Sequence, residues 1–452
     1  MNSTPPIAPD DEPKPSKKRG GKRANGEGSI FPYRNRYAAY VWITTPTGEK
    51  KRKWVYGKTR AETHDRWLKL HQQAKAGPVA TSIPTLAQYL TYWLAEVVTP
   101  HLAPMTSSNY EMFVRLYISP KLGKKRLDKL TVREVQMWIN QLAEECQCCV
   151  QGKDAQRSEK NQRCCAIGRC CDTPISTRTV RDAWTTLRNS LNNAIREELI
   201  TRNAAALVRV PKGRRRKEKP WSVEEARQFL ESARAEGDPF YAAYVLILVM
   251  GFRRGEALGV QRSSIDWDGW NEPCDDHNKQ FCPECLSERS VELRVERQIQ
   301  RVNGKLLHRE VKTESSEAPL PLPDICAAAL RLRLAEQDRA RKHATEWAAG
   351  ALDLLFTTRT GRPIEPRNFN RSFEARCRKA GVRRIKVHTT RKTCASLLVA
   401  LDVHPRVAMQ VLRHSQISVT MEVYAEVSSK ETRAALRQLG DRLTSPRRES
   451  GP

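Results

Sequence analysis

Two arginines, two histidines and a tyrosine in the C-terminal half have the types and order from which phosphate chemistry can be built. Gly251-Phe252-Arg253-Arg254-Gly255-Glu256 follows an apolar stretch, His388-Thr389-Thr390-Arg391 opens a helical one, and Leu412-Arg413-His414-Ser415 leads to Tyr424, ten residues beyond His414. Guanidiniums are permanently charged, and their planar fork matches a pair of phosphate oxygens. A phenol with an ordinary pKa of about 10 attacks phosphorus only if its proton is removed as it does so. Metal-free cleavage of a phosphodiester therefore suits this set. Arg253 and Arg391 would neutralise charge on the non-bridging oxygens, His388 would take the tyrosine proton, and His414 would hydrogen-bond the phosphate and hold the attack in line. Taken singly, each residue has a plainer use, as a surface arginine, a structural histidine or a half-buried packing tyrosine. The ordered set carries the reading.

In these motifs the sequence resembles the tyrosine recombinase family, in particular the phage-type integrases. The first arginine of that family lies in a Gly-x-Arg-x-x-Glu element, matched by Arg253 with Glu256 as an orienting carboxylate. A lysine on a hairpin turn comes next, and Val311-Lys312-Thr313-Glu314-Ser315-Ser316, before Pro319-Leu320-Pro321-Leu322-Pro323, looks like that element. Lys312 is then the candidate acid for the departing 5′ oxygen. The His-x-x-Arg pair maps to His388 and Arg391, the later histidine to His414, and the nucleophile to Tyr424 in Glu422-Val423-Tyr424-Ala425. Two departures stand out. Thr389-Thr390 replaces a more apolar pair, and Arg413 stands where the family usually has glycine. Gly permits backbone conformations that Arg does not, so Arg413 bears on how closely the chain approaches the helix it packs against there. It is also a candidate phosphate contact.

The resemblance covers about residues 170 to 440 well and the N-terminal half more loosely. It implies a site-specific DNA recombinase, an integrase of a phage or integrative element, working through a 3′-phosphotyrosyl intermediate that conserves the phosphodiester energy, with no catalytic cofactor and no ATP. It also implies double-stranded attachment-site DNA as partner, a tetrameric synapse that exchanges the segment Lys430 to Leu443, and accessory DNA-bending or excision factors. Two alternatives use the same residues differently. A type IB topoisomerase-like enzyme would share the tyrosine chemistry on a single duplex, and a catalytically inactive DNA-binding regulator would keep only the fold.

The elements that must position these residues point to a multidomain chain, mainly α with small β parts. Residues 1–26 read as a disordered basic leader. Within 27–78, Ser29-Ile30-Phe31, Tyr37 to Ile43 and Lys53 to Tyr56 predict a three-stranded meander, and Ala61 to about Ala76 a helix anchored by Trp67, Leu68 and Leu70. This module looks like an arm-type DNA-binding domain, with Arg34, Arg36, Lys51, Arg52 and Lys53 as candidate major-groove contacts. Residues 84–211 predict about four amphipathic helices, similar to a core-binding domain, with Thr131 and Glu134 as a capping box. A charged linker over 212–220, containing Arg214, Arg215 and Arg216, offers a hinge and a phosphate clamp together. Residues 221–445 form the mixed α+β catalytic domain: a helix opened by Ser222 with Glu225, an apolar helix over Phe240 to Val249, a hairpin at Asn303-Gly304, and helices from Asp324 onward. Residues 446–452 are a tail.

With 452 residues the chain is long for one core, and 79 Lys plus Arg against 51 Asp plus Glu, a formal charge of +28, favour a polyanionic partner. The N-terminus has no apolar signal core and no run approaches a membrane span, so the expected setting is the cytosol, on DNA and away from membranes. In that reducing compartment clustered cysteines point first to metal. Cys274, His277, Cys282 and Cys285, in an insertion over 271–288, have spacings that a tetrahedral structural zinc accepts. In a second insertion, 146–171, Cys146, Cys148, Cys149, Cys164, Cys165, Cys170 and Cys171 offer a further zinc site whose ligand set the spacing leaves open.

Overall fold

The computed structural model describes residues 30–45, 48–77, 79, 83–213, 218–267, 291–311, 319–348 and 352–424. The leader, Arg214 to Arg216, the Cys274–Cys285 set, Lys312 and the segment Lys430 to Leu443 lie outside the described residues. The chain divides into two compact units, Met1–Arg214 and Arg215–Pro452.

The first unit begins with an antiparallel meander of strands Phe31–Tyr33, Arg36–Thr44 and Lys50–Gly57. Side chains alternate across a strand, so the register decides what each face carries. Ala39, Val41 and Ile43 point to the helix Arg60–Ala76 and pack on its Trp67 and Leu70. Leu68, expected among the anchors, is 41% exposed, because it lies about 100° around the helix from Trp67. The opposite face carries Tyr40, Trp42 and Trp54, with Arg52 stacked over the rings of Tyr40 and Trp42 at 5.3 and 4.8 Å.

The same unit continues into a bundle with its own core, in which Leu86, Leu90, Ile118, Val135, Ile139, Leu187 and Leu191 are buried. Its helices start where side chains can satisfy the free amides of a first turn. Thr85 with Gln88 and Thr131 with Glu134 form full capping boxes ahead of helices Leu86–Tyr92 and Val132–Glu144, and Ser176 caps Thr177–Arg196. Two helices continue through π turns, Trp93–Val98 and Val114–Ile118, that hydropathy spacing does not announce.

In the second unit the apolar helix Tyr241–Val249 is the central pillar, with Ala242 to Leu248 all buried. Around it stand helices Val223–Ala235, Asp324–His343, Pro366–Lys379 and Val387–Ala400. Trp221 and Phe229 stack among Tyr244 and Phe373. Two small sheets complete the unit: a three-stranded one of Ile265–Asp266, Glu292–Leu293 and Leu320–Pro321, and the hairpin Arg297–Val302 with Lys305–Glu310. Asn303 and Gly304, both with positive φ, make the two-residue turn.

The short helix Arg254–Gly259 lies on that hairpin. A Cβ on Gly259 would stand 2.7 Å from the Gln298 Cα and 2.8 Å from the Arg297 carbonyl oxygen, so hairpin and helix meet through bare backbone. Gly259→Ala is expected to destabilise the protein by about 1–3 kcal/mol through overpacking. Urea denaturation followed by circular dichroism checks this, and an unchanged midpoint would contradict the close approach.

Candidate active site

The site grows from a buried carboxylate. Glu256, 2% exposed, sits in the first turn of helix Arg254–Gly259, and Arg253 is the residue just before that helix. Glu256 accepts from the Arg253 backbone N–H at 3.0 Å and from Arg253 Nη1 at 2.6 Å, then from Arg413 Nη2 at 2.7 Å. The two guanidiniums hold its carboxyl below the usual range against the upward push of burial. The Arg253 side chain, tethered at one end, remains 43% exposed.

Arg413 corrects one expectation. It does not reach for phosphate: its side chain is 1% exposed, ion-paired to Glu256, with its guanidinium 4.1 Å above the Phe252 ring. It caps helix Pro405–Leu412 in the left-handed conformation, φ 50°, that glycine adopts without cost. The buried pair and the aromatic face offset that cost, although Arg413 Nε and Nη1 find no partner.

Arg391 and His388 come from the helix Val387–Ala400. Arg391 is 5% exposed, and its Nη1 donates to the Gly251 carbonyl at 2.6 Å, its Nη2 to the Leu412 carbonyl, and its Nε to His414 Nε2 at 3.3 Å. One hydrogen on each terminal nitrogen is left for a ligand. Burial first, and then Arg253, bring its pKa down to about 9, which leaves it cationic at neutral pH. The helix tolerates Thr389 and Thr390 in its buried face because their hydroxyls are used: Thr390 donates to the Val387 carbonyl at 2.6 Å, and Thr389 to Glu218.

His414 follows Arg413 at the end of the preceding helix. Its Nδ1 stands 2.9 Å from the Thr420 hydroxyl, and its Nε2 accepts from Arg391. A hydroxyl can donate or accept, so Thr420 lets the ring present either nitrogen protonated. Burial, and then the charges of Arg391, Arg253 and Arg413, push the His414 pKa down to about 4. His388 is lowered by burial first and then by the same Arg391 and Arg253, which favours the neutral form that a proton acceptor would need.

Tyr424 ends the helix Ile417–Tyr424, half-buried. Its hydroxyl donates to the Val403 carbonyl, and burial, followed by Asp402, raises its pKa. The structure thus gathers Arg253, Glu256, His388, Arg391 and His414 into one electrostatic cluster and leaves the Tyr424 hydroxyl on a neighbouring backbone carbonyl. Lys312 lies outside the described residues, as does every ligand of the Cys274 set.

The candidate DNA contacts of the meander separate by register. Arg36 and Arg52 share the aromatic face, whereas Lys51 and Lys53 project from the side that packs on the helix. Lys51 is ion-paired to Glu49 at 2.6 Å, and Lys53 is half-buried. Arg34 occupies the first hairpin turn with φ 50° and lies over the Tyr33 ring. The seven clustered cysteines of the insertion lie close together, with six of them in two overlapping groups of sulfurs.

Comparison with known proteins finds two family models along the chain. Residues 85–143 match the phage integrase N-terminal SAM-like domain, and residues 284–431 match the phage integrase family. An integrase of Saccharopolyspora erythraea is 24% identical over 414 residues, covering 83% of this chain and 86% of that protein. A XerC-like tyrosine recombinase of Caldanaerobacter subterraneus is also 24% identical, covering 87% of this chain and 93% of its own length. Among solved structures, the Tn1549 transposon integrase in complex with right-end DNA superposes with a TM-score of 0.55 at 18% identity, covering 79% of this chain and 99% of that one. No helix among the described residues is long and apolar enough to cross a membrane.

Two outcomes follow from the buried charges. Arg413→Met should cost about 2–4 kcal/mol, below the upper range for a broken buried pair because Glu256 keeps Arg253, and adding Glu256→Gln should recover part of it. Denaturant titration of the three variants reads this cycle, and strictly additive costs would refute the coupling. His414, whose folded pKa lies below its unfolded value near 6.5, makes the unfolded state the better proton binder between roughly pH 6.5 and 4. Stability should therefore fall with acidification across that window, and imidazole NMR should show His414 neutral at pH 6. A His414 midpoint near 6.5 would contradict the geometry.

Proposed function

We infer, for a chain that is a tyrosine recombinase of the phage integrase family, that the catalytic set is Arg253, Lys312, His388, Arg391, His414 and Tyr424 acting on one DNA phosphate. The observation that supports this best is the convergence of Arg253, Arg391 and two neutral histidines around Glu256 and Gly251, from segments far apart in sequence. Such a cluster of cations, in which Glu256 is the one carboxylate bonded to the guanidiniums among the described residues, is suited to receive an anion.

In the proposed reaction the Tyr424 oxygen leaves the Val403 carbonyl and forms a bond to phosphorus as the bond to the 5′ oxygen breaks. His388 takes the phenol proton, and Lys312 gives one to the 5′ oxygen. Arg253 and Arg391 share the charge on the non-bridging oxygens, and His414, with its proton moved to Nε2, adds a hydrogen bond. Return of the 5′ hydroxyl reverses each step and restores the duplex without ATP. The guanidiniums supply the charge neutralisation that a metal would otherwise provide, so zinc in either cysteine-rich insertion would serve folding alone.

Integration requires two duplexes to exchange strands, so four copies of the chain, each cutting one strand, form the proposed assembly, with Lys430 to Leu443 as the exchanged segment. Residues 27–78 would grip arm-type DNA through the aromatic face bearing Arg36 and Arg52, residues 84–211 would grip the core site, and 221–445 would cut, with Arg214, Arg215 and Arg216 tracking phosphates between them. DNA-bending or excision factors would act on the same assembly.

A nicked attachment-site duplex that loses its 5′ fragment after cleavage should trap the chain as a covalent adduct resistant to SDS. Tyr424→Phe should form none, and a Phe variant that still forms adduct would refute the nucleophile. Lys312→Ala should slow cleavage by about 10²–10⁴-fold. A substrate with sulfur in place of the bridging 5′ oxygen should recover most of that loss, because a thiolate leaves without a proton; equal slowing on both substrates would contradict the acid role.

A further inference from the structure

The insertion between helices Val132–Glu144 and Thr177–Arg196 has an inverted interior. Its aliphatic side chains Val150 and Ile167 are each 44% exposed, and its buried centre consists of Cys146, Cys148 and Cys164, with Cys149 and Cys171 packed against them. A core built on hydrophobic burial alone would enclose the aliphatic side chains along with the sulfurs. Beside the sulfurs, the tie that gathers most of the insertion's backbone is Asp154, fully buried. Its carboxylate accepts from the Arg163, Cys164 and Ala166 backbone N–H groups at 3.0, 2.8 and 3.1 Å and from Arg157 Nη1 at 2.6 Å. Asp154 thereby fixes the backbone at Cys164 and leaves that thiol pointing at its neighbours.

We propose that Cys146, Cys149, Cys164 and Cys170 bind one structural zinc ion as a tetrathiolate. The four sulfurs all lie within 4.8 Å of one another. Cys149 Sγ is 3.3 Å from Cys164 Sγ and 3.6 Å from Cys170 Sγ, and Cys146 Sγ is 3.9 Å from Cys164 Sγ. A tetrahedron with Zn–S bonds of about 2.3 Å has sulfur–sulfur edges of about 3.8 Å, so the ligands are already near their places. Backbone amides also face the sulfurs: the Cys171 N–H donates to Cys164 Sγ at 3.2 Å and the Asp172 N–H to Cys170 Sγ at 3.4 Å. Amides donating to sulfur favour the thiolate form that zinc requires. Of the three thiols left over, Cys148 takes a hydrogen bond from Arg157, Cys165 is exposed, and Cys171 lies 3.5 Å from Cys146.

The consequence is mechanical. Cys146 follows the end of one bundle helix and Cys170 lies six residues before the Ser176 cap of the next, so the ion would clamp both ends of the excursion and convert binding energy into folding energy for the bundle. The test uses the full chain carrying Cys274→Ser and Cys282→Ser, which silences the other candidate set, purified without chelator. Elemental analysis should give one zinc per chain. X-ray absorption at the zinc edge should show four sulfurs and no nitrogen or oxygen. Adding Cys149→Ser and Cys170→Ser should remove the zinc, whereas adding Cys165→Ser should leave it in place. A chain without zinc, zinc that survives loss of Cys149 and Cys170, or a mixed nitrogen and sulfur shell would each overturn the proposal. None of these readings depends on DNA cleavage, so they stand apart from the catalytic assignment.

Discussion

The cluster of charges between Arg253 and His414 turns on one buried carboxylate. Glu256 is the sole anion bonded to the guanidiniums of Arg253 and Arg413 among the described residues, and its two oxygens aim those guanidiniums at opposite tasks. Through Arg253 it holds a partly exposed cation at the surface. Through Arg413 it pins the turn that ends helix Pro405–Leu412, and the next residue in that turn is His414. Burying one negative charge among several positive ones is tolerable because Glu256 accepts three hydrogen bonds, and the remaining positive excess would favour an anion.

The same arrangement explains why the histidines are neutral. Each lies within the field of Arg391 and Arg253, which resists a further proton, and each is partly withdrawn from water. A phosphate arriving in the cluster would invert this balance, because its negative charge stabilises the protonated imidazole. On that proposed reading, the proton affinity of both imidazoles would rise when a phosphate binds. Tyr424, held on the Val403 carbonyl, is shifted by burial and by Asp402 and not by the arginines.

Local signals in the sequence were dependable where the physics is local. The capping boxes at Thr131 and Ser222 and the Asn303-Gly304 turn stand where residue type alone places them, because each involves groups three residues apart or fewer. The order of Arg253, His388, Arg391, His414 and Tyr424 was legible for a different reason: their resemblance to a family pattern carries the long-range information that spacing lacks. Arg413 shows the limit. Its partner Glu256 is 157 residues away, so an arginine in a glycine's place reads from sequence as an exposed cation, whereas the fold makes it a buried strut. Lys51 and Lys53 illustrate a second limit, since composition marks a basic strand but only the register tells which face each lysine takes. The π turns at Trp93 and Val114 shift the phase of their helices without any change in residue type, and Leu68, adjacent to Trp67 in sequence, lies about 100° from it around the helix.

The proposed chemistry requires residues from four separate segments to meet around a single scissile phosphate. A structure of the Tyr424→Phe chain bound to its attachment-site duplex measures this directly. The account predicts non-bridging oxygens within hydrogen-bond distance of Arg253, Arg391 and His414, with the substituted ring at position 424 moved away from the Val403 carbonyl and facing phosphorus opposite the 5′ oxygen. A phosphate seated elsewhere, with Arg391 still serving only the Gly251 and Leu412 carbonyls, would contradict it.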